Sequence, residues 1–256
     1  MNDIPKLSFF ITRKINNFND NFIWIECVKQ IRCFYKYEPI FIIDDCNNQD
    51  IIVKIENVKD LPVYNIHILN TDEDPEIKGR GEFASFYYYR KMKNSSRALF
   101  IRDSFFLLKP LDDNIINNCD IRLLLGFIDK EEKFKSLVNN LILDLNEGNK
   151  IIEYKYKYNW VGCFGVSCLI SLEYLMYLDK HYNFFIISNE IINKTMKEVF
   201  ERFFGLLITY DKKNFTNISL FGNKIVGNNY DLNYYNEKKM ELIANNTPYF
   251  NYHQHQ

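Results

Sequence analysis

Of 256 residues, 32 are Lys or Arg and 33 are Asp or Glu, so the formal net charge is -1 and no bulk basicity points to a nucleic-acid partner. A hydrophobic fraction of 47% beside 25% charged residues belongs to a chain that can bury a core, which excludes a disordered tail. Gly (9) and Pro (6) are too few for a collagen-like or linker-rich protein, while 18 Tyr and 22 Phe make it rich in aromatics.

One domain is expected over residues 1–245, with a loosely ordered tail at 246–256. The abundance of Asn, Ile, Lys, Phe and Tyr matches the codon bias of an AT-rich genome, so sequons such as Asn94-Ser95-Ser96 carry little weight. The longest uncharged run, Tyr158 to Leu172, is shorter than the roughly 20 residues that span a bilayer. With no signal-peptide pattern at the N-terminus, the chain is expected to begin near Met1 and stay in the cytosol. Six scattered cysteines form no Cys-x-x-Cys pair and read as free, mostly buried thiols.

In chain order, Leu7-Ser8-Phe9-Phe10-Ile11 predicts a first strand. Asn19-Asp20 then supply capping side chains for a helix with Trp24, Val28, Ile31 and Tyr35 along one face. Past Pro39, Ile40-Phe41-Ile42-Ile43 has no polar alternation, which suits a parallel strand covered on both faces. Strand, helix and strand make a βαβ unit, and Asp44-Asp45-Cys46-Asn47-Asn48 ends it in a polar turn. Further strands are predicted at 51–55, 63–69, 97–101, 105–108 and 122–128, with helices at 82–92 and 129–145. The alternation Tyr154-Lys155-Tyr156-Lys157-Tyr158 predicts a half-exposed strand, and helices follow over 166–177 and 188–208. The sum is an α/β fold with a mostly parallel central sheet flanked by helices, a class whose ligands bind outside the carboxyl ends of the strands.

Two of these strands end in aspartate. Asp44 and Asp45 should leave the sheet edge, where a carboxylate can accept hydrogen bonds from ribose hydroxyls or a base; such a pair also suits a plain turn cap. Asp103 is placed the same way, able to ligate Mn or Mg together with substrate phosphate, or to cap the turn at Ser104. Gly79-Arg80-Gly81-Glu82 precedes a predicted helix, so backbone amides could receive an anion with Arg80 as counter-charge, although its glycines match no Walker or dinucleotide pattern. Trp160-Val161-Gly162-Cys163-Phe164-Gly165 sets glycines beside large aromatics, which fits either a flat ligand such as a sugar ring or a packed corner. Glu198 and Glu201 share a helix face, and deprotonating an acceptor hydroxyl calls for such a carboxylate. His67 and His181 read as strand and loop positions rather than ligands.

Taken in order, Ile11-Thr12-Arg13, Trp24-Ile25-Glu26-Cys27, Ile42-Ile43-Asp44-Asp45, Gly81-Glu82 with Phe86-Tyr87-Tyr88-Tyr89, Ile101-Arg102-Asp103-Ser104 and Trp160 with Gly162-Cys163-Phe164-Gly165 form a collinear set. That set resembles a GT-A-type glycosyltransferase family of large DNA viruses and microbes, over about residues 5 to 205. The resemblance implies a single GT-A-like, Rossmann-like domain transferring a sugar from a nucleotide-sugar donor, a UDP- or GDP-sugar, to a hydroxyl of a protein glycan or polysaccharide. It places Thr12, Arg13 and Asp44 or Asp45 near the nucleotide, while Arg80 and Gly81 remain the anion site read from the helix start above and Arg102 stands beside the departing diphosphate. Asp103 falls near the diphosphate and a divalent metal, Mn or Mg. Trp160, Gly162 and Phe164 fall on the acceptor or sugar side, and Glu201 becomes the base of an inverting transfer; a retaining enzyme would need none. Family members carry Asp-x-Asp where this chain has Arg102-Asp103-Ser104-Phe105, so Arg102 could partly replace a metal cation. Some such enzymes add a terminal metal-binding His, for which His253 and His255 are the candidates. By the same resemblance the setting is a host cytoplasm or a virion. Two other readings stand beside it. A catalytically silent module binding a glycan or partner protein would explain the missing second carboxylate, and a nucleotidyltransferase would need glycines around Thr12-Arg13-Lys14 that are not there.

Overall fold

The central strands of this chain are buried on both faces, and that fixes the layering. The computed structural model describes residues 4–45, 49–129, 131–213, 219–221, 232–245 and 247–251. Its elements begin with β1 (Leu7–Arg13), α1 (Asn21–Phe34), β2 (Ile40–Asp44), β3 (Ile66–Asn70), α2 (Phe83–Met92), β4 (Arg97–Arg102) and β5 (Phe105–Leu107). There follow α3 (Asp113–Asn118), β6 (Ile121–Leu123), β7 (Gly126–Phe127), α4 (Lys135–Leu143), α5 (Gly148–Lys157) and β8 (Gly162–Cys163). The last are β9 (Cys168–Ser171), α6 (Leu172–Tyr182), α7 (Lys194–Lys212), α8 (Leu232–Ala244) and β10 (Tyr249–Asn251).

A six-stranded sheet runs β3-β2-β1-β4-β9-β6. Its first four strands are parallel, and β9 is antiparallel to β4 and β6. Successive side chains of a strand face opposite ways, so Phe9, Ile11, Ile42, Leu99 and Ile101 meet Trp24, Val28 and Ile31 of α1 and Phe106 of β5. Phe10, Phe41, Ile43 and Phe100 meet Phe83 and Phe86 of α2, Leu175 of α6, and Phe200 and Phe204 of α7. The aromatic excess is spent here: Phe86 lies edge-on to Phe100 at 4.5 Å and to Phe204 at 5.0 Å between ring centroids, geometry that adds to plain burial. The result is a stiff platform under the strand ends.

Several segments depart from the sequence-based expectation. Residues 51–55 form no strand: short 3-10 turns at Gln49–Ile51 and Ile55–Asn57 flank them, and the Val53 amide donates to Asn21 Oδ1 of α1 at 2.8 Å instead of to a sheet neighbour. Residues 154–157 are helical, in α5, and Tyr158 caps it, its ring tilted against that of Tyr154 at 4.8 Å between centroids. Cys168–Ser171, expected to open a helix, is instead the strand β9, and the helix α6 starts only after Ser171 caps the Tyr174 amide. The helix expected over 188–208 is a 3-10 stretch at Phe184–Glu190 followed by α7, separated by the Asn193 cap. His181 lies in the last turn of α6 rather than in a loop. Beyond residue 245, Tyr249–Asn251 pairs antiparallel with β5, and Tyr249 stacks on Phe105 at 5.0 Å, so this part of the expected tail belongs to the packed body. Among the described residues no helix is long and apolar enough to cross a membrane, and Cys27, Cys119, Cys163 and Cys168 are free and buried.

Candidate active site

Because β1, β2 and β4 run parallel, their carboxyl ends open on one edge of the sheet. The register sets Arg13 beside Asp44 and Thr12 beside Arg102. Asp45 and Asp103 therefore leave the same rim, flanking the end of β1. The Asp103 amide donates to the Thr12 carbonyl at 3.0 Å, and the Thr12 hydroxyl lies 3.2 Å from that of Ser85 on α2.

These acidic groups have different fates. Asp44 is buried and paired with the buried Arg13, whose Nη2 donates to Oδ2 at 2.8 Å while Nε donates to Oδ1. The guanidinium also lies over the Trp24 ring at 4.7 Å. Charge, fork geometry and ring satisfy one another inside the protein, so this pair is a strut below the rim. Asp45 accepts from the Gly81 amide at 3.0 Å and from Lys197 Nζ at 2.7 Å. Gly81 has φ +56, the left-handed region that suits glycine. A Cβ there would fall 2.7 Å from Lys197 Cε, so the lysine stem lies directly over the glycine.

Arg80 turns away from this edge. Its guanidinium donates to the Glu76 carbonyl at 2.6 Å, to the Ser188 carbonyl and to Asn189 Oδ1 at 3.3 Å, which ties the 3-10 stretch at Phe184–Glu190 to the body. It lines a hollow of about 420 Å³ with Glu76, Tyr87, Arg90 and Phe185, and none of the strand-end residues. A second hollow, about 360 Å³, is lined by Asp120, Arg122 and Lys212, and also lacks them.

Around Asp103 the charges are denser. Arg102 reaches solvent, with Nε 3.3 Å from Glu82 Oε1. Burial opposes its charge, but the carboxylates of Glu82, Glu201 and Asp103 outweigh that and raise its pKa. Glu201 of α7 is half-buried and accepts the Gly165 amide at 3.0 Å. Burial lifts its pKa to about 7, with the Arg102 charge pulling the other way. Burial also lifts Asp103 to about 6, against the Lys14 amide that donates to its Oδ2 at 3.1 Å and the charge of Arg102. Gly165 and Val166 both have positive φ, +59 and +50. For a β-branched residue such as Val166 this is a strained conformation, of order 1–3 kcal/mol, and the turn it closes aims the Gly165 amide at Glu201.

The Trp160–Gly165 string is divided. Trp160 packs on the face that holds α7 and Phe164 on the opposite one. A Cβ on Gly162 would collide with the Phe127 ring at 2.2 Å, and one on Gly205 of α7 with the Val161 carbonyl oxygen at 2.2 Å. The glycine at 162 thus serves close packing of strand, ring and helix. Sequence reasoning missed Lys197, Glu82 and Ser85. For Lys197 the available signal was its i,i+4 spacing to Glu201 on one helix face.

Among the described residues no three His, Cys, Asp or Glu side chains converge to hold a metal. Mg or Mn asks for several oxygen ligands around it. Asp103 brings one carboxylate, already engaged by the Lys14 amide and with Arg102 as its sequence neighbour, so this donor set does not fit a resident divalent cation. His253 and His255 lie outside the described residues.

What fold and rim define is an α/β protein with a charged edge at the carboxyl ends of its parallel strands. No protein-family model matches the chain, and no curated protein matches its sequence. Solved structures do. The mannosyltransferase Ktr4p from S. cerevisiae aligns with TM-score 0.43 and 11% identity, over 77% of this chain and 62% of that one. The galactosyltransferase LgtC, in complex with donor and acceptor sugar analogs, gives 0.39 and 9%, over 74% and 68%. Core-mannan synthase A from Aspergillus fumigatus, in a Mn/GDP form, gives 0.41 and 8%, over 77% and 66%. The matched region thus spans under two thirds of the Ktr4p chain.

Proposed function

We propose that this protein is a GT-A-like glycosyltransferase that moves a sugar from a nucleoside diphosphate donor, a UDP- or GDP-sugar, to a hydroxyl of a glycan or protein acceptor. One observation carries the reading: Asp45, Arg102, Asp103 and Glu201, distant in sequence, gather at the carboxyl edge of parallel strands, where α/β sheets take their ligands. Three of the stretches that resemble the glycosyltransferase family, Ile11-Thr12-Arg13, Ile42-Ile43-Asp44-Asp45 and Ile101-Arg102-Asp103-Ser104, fall at the carboxyl ends of β1, β2 and β4.

Each group then has a task. Glu201, with a pKa of about 7, holds a proton weakly enough to exchange it with an acceptor hydroxyl near neutral pH. Arg102 supplies positive charge where the leaving diphosphate gains negative charge. Asp103, beside the Thr12 end of β1, is placed to orient donor hydroxyls. Asp45 fixes the Gly81 corner, and Trp160 and Phe164 belong to the walls rather than to one stacking platform.

The silent-module reading has its own support, since the rim cations rest in ion pairs with the protein's own carboxylates and only one acid follows Arg102. A donor screen separates the two. An enzyme should release UDP or GDP from at least one nucleotide sugar and bind that nucleotide in calorimetry; a protein that hydrolyses none and binds neither is not a glycosyltransferase.

A further inference from the structure

A diphosphate leaving group must be neutralised by something. The usual candidate is a divalent ion held by several carboxylates, yet among the described residues Asp103 belongs to no group of three or more His, Cys, Asp or Glu side chains that could hold one. Arg80 is occupied by the carbonyls of Glu76 and Ser188. Lys14 follows β1 at the rim and engages Asp103 through its amide, and two further cations there, Lys197 and Arg102, are paired with carboxylates of the rim. Lys197 and Glu201 sit one turn apart on α7, and Gly81 and Glu82 are consecutive at the start of α2. Lys197 crosses over Gly81 to reach Asp45, while Arg102 meets Glu82 and faces Glu201. The two cations therefore bracket one corner, and both reach solvent, with side chains 30% and 44% exposed.

Resting on the donor reading above, we infer that Lys197 and Arg102 together form the diphosphate site, metal-independently, with Asp45 and Glu82 as resting counter-ions that phosphate oxygens replace. Phosphate suits both cations. The arginine fork matches two oxygens at once and the ammonium acts as a point charge. Asp45 is not left without a donor in the exchange, because it keeps the Gly81 amide and the Thr71 hydroxyl. It also separates the roles of the two strand-end aspartates: Asp45 parks the lysine, and Asp103 is left for the sugar side.

Titration calorimetry of the full chain with UDP and with GDP, in EDTA and again in Mn, is the test. Equal affinity in both buffers is expected, with binding in EDTA weakening as salt rises. Lys197→Met and Arg102→Gln should each weaken binding by about tenfold or more, the size of a lost charge-assisted contact, while Lys197→Arg retains most of it. Circular dichroism and melting confirm that each variant is folded; should Lys197→Met not fold, the wild-type EDTA and salt series decides alone. Binding that requires Mn overturns the metal-free site and leaves the donor reading standing, as does a folded Lys197→Met that binds like wild type. Failure of both nucleotides to bind in either buffer overturns both.

Discussion

Glu201 offers the sharpest quantitative test, because replacing it by Gln changes charge and little else. The amide oxygen can still accept the Gly165 N–H that the carboxylate accepts at 3.0 Å. In the folded chain the carboxyl titrates near 7, against an ordinary value of 4.5, chiefly because burial disfavours its charge. A raised carboxylate pKa means that the folded state holds a proton the unfolded chain has released between those values, so stability falls as pH rises through that window. About 2.5 units at 1.36 kcal/mol each give a ceiling of about 3 kcal/mol, reduced where solvent reaches the half-buried group. Glu201→Gln escapes this loss. Its stability should equal that of wild type near pH 4 and exceed it at pH 8 by up to about 3 kcal/mol. Urea unfolding at a series of pH values, with unchanged m, reads the difference directly. A variant uniformly less stable, or a difference that does not vary with pH, would show that Glu201 is not a burial-strained acid. In the same preparations, transfer should be lost if Glu201 is the base of an inverting reaction.

Three further expectations follow from the same geometry. Asp103→Ala should lower donor turnover about a hundredfold or more without lowering the unfolding midpoint at pH 8, since burial already raises the pKa of this acid to about 6; retained turnover removes Asp103 from the site. Asp44→Ala strands the buried Arg13 charge and should cost about 3–5 kcal/mol of stability in chemical denaturation, whereas a loss below 1 kcal/mol would deny the pair its structural role. Gly205→Ala drives a methyl into the Val161 carbonyl and Gly162 backbone and should destabilise by about 3 kcal/mol by thermal melting, an unchanged melt refuting the close approach.

The parallel core was legible because its strands are written as apolar runs that serve two faces. Phe9 and Phe10, or Ile42 and Ile43, each feed a different core, which no polar alternation could do. Isoleucine content alone misled at 51–55, where the residues lean on the α1 side of the sheet without joining it. Tyrosine and lysine alternation misled at 154–158. There the decisive contacts lie three and four residues apart, with Ile151 and Lys155 inward and Lys155 Nζ bonded to the Lys135 carbonyl and Asn139 Oδ1. Strand β9 was hidden because four residues between a turn and a capped helix carry too short a pattern to betray a period of two.

In the site, strand ends announced where acids would emerge, and pairing across the fold decided what each became. Asp44 and Asp45 are adjacent and look interchangeable in sequence. Alternation sends the first down to Arg13, in register on β1, and the chain's exit from β2 carries the second to Lys197, 152 residues away. No local pattern encodes that second meeting, since it depends on the first turn of α7 bringing the Lys197 stem over Gly81. Asp103 differs again: among the described residues its carboxylate accepts only the Lys14 amide, and its nearest cation, Arg102, leans toward Glu82. An acid without its own ion pair, raised toward neutral pH beside an exposed guanidinium, is the group at this rim whose charge is least committed to the fold. For that reason the Asp103 and Lys197 variants should part company, the first altering turnover of a donor that still binds, the second altering binding itself.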